Sequence, residues 1–212
     1  MSEIVIKLQN TKLLRYSTSL VLLAICLLVM ASRIDAPLGQ PYYLLSKYIG
    51  LVAIILFWFQ LFVAQLVKLS IVRSEMAPGR RFHMLLGTLV VSAIVLHGSL
   101  FISAVSLRAD HLALHLLIPR LTSGYYELGL SLGVIAMFTV LVAVYFGYRK
   151  FNEAFRRIAH RLVYAVFFLG ITHALMIGSE ANSGIVELLF WLMGISIMGL
   201  MSIRAMKAHR SR

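Results

Sequence analysis

Residues 80–106 read RRFHMLLGTLVVSAIVLHGSLFISAVS. Two arginines lead into an apolar run long enough to cross a bilayer, because about 20 helical residues at 1.5 Å each span a hydrocarbon layer of about 30 Å. Two histidines interrupt the run. An ionisable side chain at such a place is costly, and it marks either function or a pairing with a neighbouring helix. His83 stands at the start and His97 fourteen steps later. Fourteen steps of 100° return to within about 40° of the start and climb about 21 Å. Both imidazoles therefore share one face at two depths.

A second run, RRIAHRLVYAVFFLGITHALMI at residues 156–177, has the same plan. His160 opens it and His173 follows thirteen steps later, a climb of about 19.5 Å. Thirteen steps miss the starting face by about 140° on an ideal helix. The spacing therefore predicts a local distortion near Gly170, such as a π-bulge or kink, or a His160 seated in a frayed first turn.

Around these two runs the whole chain is built for lipid. Of its 212 residues 60% are hydrophobic and 13% charged, about half the charged share of a soluble domain. Six apolar segments can be drawn: 16–31, 45–69, 82–106, 126–146, 161–177 and 185–203. Turn residues fill the breaks, among them Pro37, Pro41, Pro78, Gly79, Pro119, Gly124 and Gly184. The expected fold is all-α, a polytopic membrane protein of six transmembrane helices. It forms one domain over residues 1–212, with an N-terminal arm at 1–15 and a basic tail at 204–212. The first segment reads as an uncleaved span, because Ser32-Arg33-Ile34-Asp35 is no small-x-small cleavage site.

The formal net charge of +12 would suggest nucleic acid in a soluble protein. Here sixteen of the 20 Lys and Arg residues fall on one side of the predicted topology, and Arg33, Lys47, Arg108 and Arg120 fall on the other. That asymmetry orients membrane proteins and predicts both termini in the cytoplasm, with no nucleic-acid partner. Cys26 is the only cysteine, so no disulfide and no multi-cysteine metal site can form within the chain. The leucine-rich stretch from Ser106 to Tyr125 is expected to lie along the bilayer interface.

The third and fifth segments run in the same direction, so the four histidines form two pairs at matched depth: His83 with His160 and His97 with His173. One imidazole from each of two parallel helices suits a haem iron bound on both faces. A single zinc ion is excluded, since the two levels are about 20 Å apart. Gly87, Gly98 and Gly170 lie beside the histidines, where they provide either clearance for a flat macrocycle or ordinary close packing of helices. Gly129 and Gly133 read as packing, and Phe57, Trp58 and Phe59 as lipid-facing filler in preference to a filling between the two haem levels. His111 and His115, four apart beside Asp110, offer too few ligands for a good metal site.

The stretch Arg80-Arg81-Phe82-His83-Met84-Leu85-Leu86-Gly87 leading to His97, and Arg156-Arg157-Ile158-Ala159-His160-Arg161 leading to His173, resemble the ferric reductase-like transmembrane domain family. That family includes ferric-chelate reductases, NADPH oxidases and the haem subunit of a bacterial methionine sulfoxide reductase system. The resemblance covers nearly the whole chain, and the family accommodates the thirteen-step gap. It implies two haem b groups with His83, His97, His160 and His173 as axial ligands of the iron. It also implies one-electron transfer from a cytoplasmic donor to an outer acceptor such as ferric iron, quinone, oxygen or a periplasmic reductase.

Haem propionates need cationic partners. Arg80, Arg81, Arg157 and Arg161 are the candidates at the inner haem, and Arg108 and Arg120 at the outer. The sequence contains no G-x-G-x-x-G loop. The expectation is therefore an electron-transfer subunit of an oxidoreductase in a bacterial inner membrane, served by a separate cytoplasmic flavoprotein. The methionine sulfoxide reductase subgroup lacks the first histidine, so the presence of His83 leans away from that acceptor. Two alternatives stay open: an ascorbate-reducible di-haem cytochrome b, whose ligands come from four helices, and a non-redox transporter or assembly protein with buried histidines.

Overall fold

The computed structural model describes residues 39–71, 80–122, 124–148, 153–179, 181 and 184–210. The expected span at 16–31 and the arm at 1–15 lie outside these residues. Five long α-helices are present: α1 (Gln40–Lys68), α2 (Arg80–Ala109), α3 (Tyr125–Tyr148), α4 (Glu153–Ile177) and α5 (Gly184–Arg210), with a 3-10 turn at Leu114–Leu117. No strand occurs among the described residues. All five helices are long and apolar enough to cross a membrane. Their apolar side chains are largely exposed on the outside of the bundle (Val52, Ile55, Phe138, Leu192 and Ile195 are examples), as befits an integral membrane protein.

Local chemistry sets the helix ends. Gly39 has φ +83°, and a Cβ there would lie 2.5 Å from the carbonyl oxygen of Ala104, so only glycine both turns the chain and lets α1 start against α2. Pro41 follows in the first turn, where a missing N–H costs nothing. At the other end Ile71 N–H donates to Leu66 O and Ser70 N–H to Val67 O, with Ser70 at φ 61°, which is a Schellman ending. The helices overrun the apolar segments. α5 continues through the basic residues to Arg210, so the expected tail is mostly helix. α4 opens at Glu153 rather than Arg161. Its first two turns carry charge that hydropathy reads as loop.

That early start corrects one expectation. α4 is α-helical without interruption from Glu153 to Ile177, with no π-bulge at Gly170, and His160 sits two turns inside it. The 140° mismatch is absorbed by the two faces of the helix. His173 is half-buried inside the bundle, whereas His160 lies on an exposed flank.

α1 packs along α2, and α3 packs along α4, as two antiparallel hairpins, while α5 rests mainly on α1. α2 and α4, which carry the four histidines, scarcely meet backbone to backbone. Midway along them the gap is closed by Val90, Val166, Phe167 and Phe57, with Phe57 edge-on to Phe167 at 5.7 Å. Phe57 is only 4% exposed, so it belongs to the core and is not lipid-facing filler; Phe59 is exposed. Trp58 is half-buried and donates from Nε1 to Ser196 Oγ at 2.9 Å, tying α1 to α5.

Candidate functional site

The structure brings together the pairs that the spacing predicts. The His97 and His173 rings are 6.2 Å apart, centre to centre, and the His83 and His160 rings 5.9 Å. Both pairs span the gap between α2 and α4, one on each side of the Phe57–Phe167 plug. The two levels differ in how the imidazoles are held.

At the His97 level each ring leans on a neighbouring helix through the same device. His97 Nδ1 lies 2.8 Å from the carbonyl oxygen of Ser46 on α1. His173 Nδ1 lies 2.8 Å from that of Gly129 on α3. A carbonyl only accepts, so both Nδ1 atoms carry the proton and both Nε2 atoms are left bare for a metal. A helical carbonyl at position i points past the residue at i+4, and here that residue is glycine in both cases. A Cβ on Gly50 would lie 2.9 Å from His97 Nδ1, and one on Gly133 would lie 2.6 Å from His173 Nδ1. Ser46, 1% exposed, adds a second tie by donating from Oγ to His97 O at 2.8 Å.

Between the two rings opens an apolar cavity of about 220 Å³, walled by α1 to α4 with Phe190 of α5, and bordered by Leu116 and Leu117 of the 3-10 turn. Along α1 its wall is the stripe Tyr43, Ser46, Lys47, Gly50, Ile54 and Phe57, one helical face by spacing. Gly98 and Gly170 also line it, next to His97 and His173.

The His83 level is built otherwise. Gln60 Nε2 donates to the backbone carbonyl of His83 at 3.1 Å, and the same nitrogen lies 3.0 Å from His83 Nδ1. The carbonyl fixes which end of the amide faces the ring. Nδ1 is therefore an acceptor, and the proton sits on Nε2, the atom a metal would need. A cavity of about 250 Å³ touches His83, Gln60 and Lys68 on the flank of α1 and α2, but it does not reach His160. Gly87 faces Gln60, whose Nε2 would lie 3.3 Å from an added Cβ, so its clearance serves that amide rather than the gap between helices.

No family model, curated protein or solved structure matches the chain.

The arginines expected at the haem edges do not line either cavity. Arg81, Arg157 and Arg161 are exposed, and the Arg80 side chain lies outside the described part. Arg108 donates to Gln40 Oε1 and stacks over the Tyr43 ring at 5.4 Å. Arg120 is exposed, with its backbone N–H held by Ser131 Oγ at 2.6 Å. Among the described residues the cation in the wall of the cavity between His97 and His173 is Lys47, which sequence reasoning left as a topology charge. Ser46, Gly50 and the carbonyl of Gly129 were missed as well. The one available signal was a serine and a glycine four apart in an apolar helix, repeated as Gly129 and Gly133.

His111 and His115 stack at 6.1 Å on the exposed loop. Among the described residues no group of three or more His, Cys, Asp or Glu side chains is placed to hold an ion by itself. A facing pair of imidazoles suits an ion that brings its other ligands with it.

Proposed function

We propose that this chain carries electrons through a membrane by way of two b-type haems held between α2 and α4, as in ferric reductase-like proteins. The observation that carries this reading is the His97–His173 pair: two imidazoles with ring centres 6.2 Å apart, both with Nδ1–H bound to a backbone carbonyl and Nε2 left without a proton, lining one apolar cavity. Iron held between two imidazoles requires ring centres roughly 6 Å apart, from about 2 Å per metal–nitrogen bond and about 1 Å from each nitrogen to its ring centre. Both pairs meet that spacing.

Haem, when bound, supplies one-electron chemistry. The protein does the rest. His97 and His173 would hold the outer group, and His83 and His160 the inner. The carbonyls of Ser46 and Gly129 fix the tautomer and raise the basicity of the outer ligands. The two histidines of each level would hold the group, which would supply one-electron transfer to an acceptor. Phe57, Phe167, Val90 and Val166 keep water from the path between the levels. The charge asymmetry supports an orientation with the His83 end and both termini in the cytoplasm, which on this reading is that of a bacterial cell, where a separate flavoprotein would act as donor. The acceptor at the His97 end would be ferric iron, a quinone, oxygen or a periplasmic reductase.

Absorbance tests the proposal directly. Protein purified from haem-replete cells should show the difference spectrum of six-coordinate haem b on reduction, at two haems per chain. A colourless preparation would end this reading and leave a transporter or assembly role.

A further inference from the structure

The loop between α2 and α3 carries two histidines that the sites above do not use. Local chemistry pins this loop. Asp110 has φ 53°, a left-handed turn that ends α2 and that aspartate tolerates better than most residues. Ala113 is fully buried, and its N–H donates to Ser106 Oγ at 3.0 Å. Leu116 N–H donates to Ala113 O and Ile118 N–H to His115 O, which closes the 3-10 turn. His115 thus stands on a turn whose next two residues, Leu116 and Leu117, border the cavity between His97 and His173.

His111 and His115 are both exposed, with ring centres 6.1 Å apart and planes 22° apart. Two imidazoles can hold one ion between them at that spacing, by the same bond lengths that apply at His97 and His173. His111 Nδ1 lies 2.9 Å from the carbonyl oxygen of Ala109. It therefore carries the proton and leaves Nε2 for a metal, the device that also holds His97. Two protein ligands are too few for a resident ion, but they suit an ion that must leave after each turnover. Imidazole suits copper, and among divalent first-row ions copper binds a given nitrogen site most tightly. Ferric iron is harder and prefers oxygen donors. Cuprous ion is satisfied by two nitrogens, so one pair can serve both oxidation states.

We propose that His111 and His115 form a transient docking site for cupric ion, the electron acceptor at the outer end of the chain. This rests on the haem reading above and narrows its acceptor. The ion gains the one electron released from the His97–His173 level and leaves as cuprous ion, with no proton moved. Zinc would take the same place and accept no electron.

The test uses the full chain, purified in detergent without a histidine tag. Copper(II) is titrated in and followed by electron paramagnetic resonance. Wild type should bind one ion per chain with nitrogen ligands. His111→Gln and His115→Gln should each weaken binding about tenfold or more, since even a supporting contact of a metal ligand is worth about 10–100-fold. His209→Gln, at an exposed histidine of α5, should change nothing. In reduced, haem-loaded protein, reoxidation by copper(II) should saturate, and zinc should compete. The two loop variants should raise the half-saturating concentration about tenfold with the plateau unchanged. Reoxidation by oxygen should be the same in all. Loop variants that bind copper as tightly as wild type, or reoxidation that does not saturate, overturn the docking site and leave the haem reading intact. Copper binding that needs both histidines in a chain that takes up no haem overturns the haem reading and the acceptor role, and leaves a metal-binding loop.

Discussion

The His97 and His83 levels present the same two side chains from the same two helices, yet they hold His97 and His83 in opposite tautomers. At the His97 level two backbone carbonyls fix the protons, two glycines make room, and all five helices contribute to the wall of the space. At the His83 level one side-chain amide sets the opposite tautomer, and His160 lies on an exposed flank. Ligand type and separation are therefore not enough to define a site. What the other ring nitrogen touches decides whether the first one can bind.

The comparison can be broken most decisively at the ligands. His97→Ala and His173→Ala should each remove the same haem completely and leave the other, as should His83→Ala and His160→Ala for the second level. Haem per chain and low-temperature spectra check this, and variants that remove different haems within a pair would sink the pairing. A smaller effect is expected from the supporting glycines. Gly133→Ala forces a Cβ to 2.6 Å from His173, an overpacking that costs about 1–3 kcal/mol. Haem occupancy and thermal midpoint should fall, with Gly50→Ala milder and Gly199→Ala, which meets nothing within 4 Å, without loss.

Gln60→Ala sharpens the contrast from the other side. Removing the amide frees His83 to move its proton to Nδ1, so haem affinity at that level should rise a few-fold while the His97 level is unchanged. A drop in affinity would mean that Gln60 supports the ligand. The smallest effect belongs to Ser46→Ala. It deletes the bond from Oγ to His97 O, and the 3.0 Å contact of Oγ with Nδ1, but keeps the carbonyl that holds Nδ1, a loss of about 1 kcal/mol measurable by chemical denaturation.

Much of this was legible in the sequence, for identifiable reasons. The fourteen-step gap between His83 and His97 needs only helix geometry, and the matching of levels needs only two parallel runs. The start of α4 was misread because Glu153, Arg156, Arg157 and Arg161 hide two helical turns from any reading based on apolarity. Phe57 was misassigned because lipid and protein core select the same apolar side chains, so hydropathy cannot tell one from the other. The carbonyls of Ser46 and Gly129 were invisible for a different reason. Backbone groups leave no mark on residue identity, and the glycines that expose them act on a ring in another helix.

Each outer imidazole is secured within its own hairpin: His97 of α2 by Ser46 of α1, and His173 of α4 by Gly129 of α3. Neither ligand depends on the opposite pair of helices for its orientation. The described helices α1 to α4 thus form two half-sockets, and a break in the loop after Ala109 would leave each with the carbonyl contact of its imidazole intact. Iron porphyrin would then act as the fastener between separately inserted pieces, and reassembly of coloured protein from co-expressed halves would follow from that arrangement.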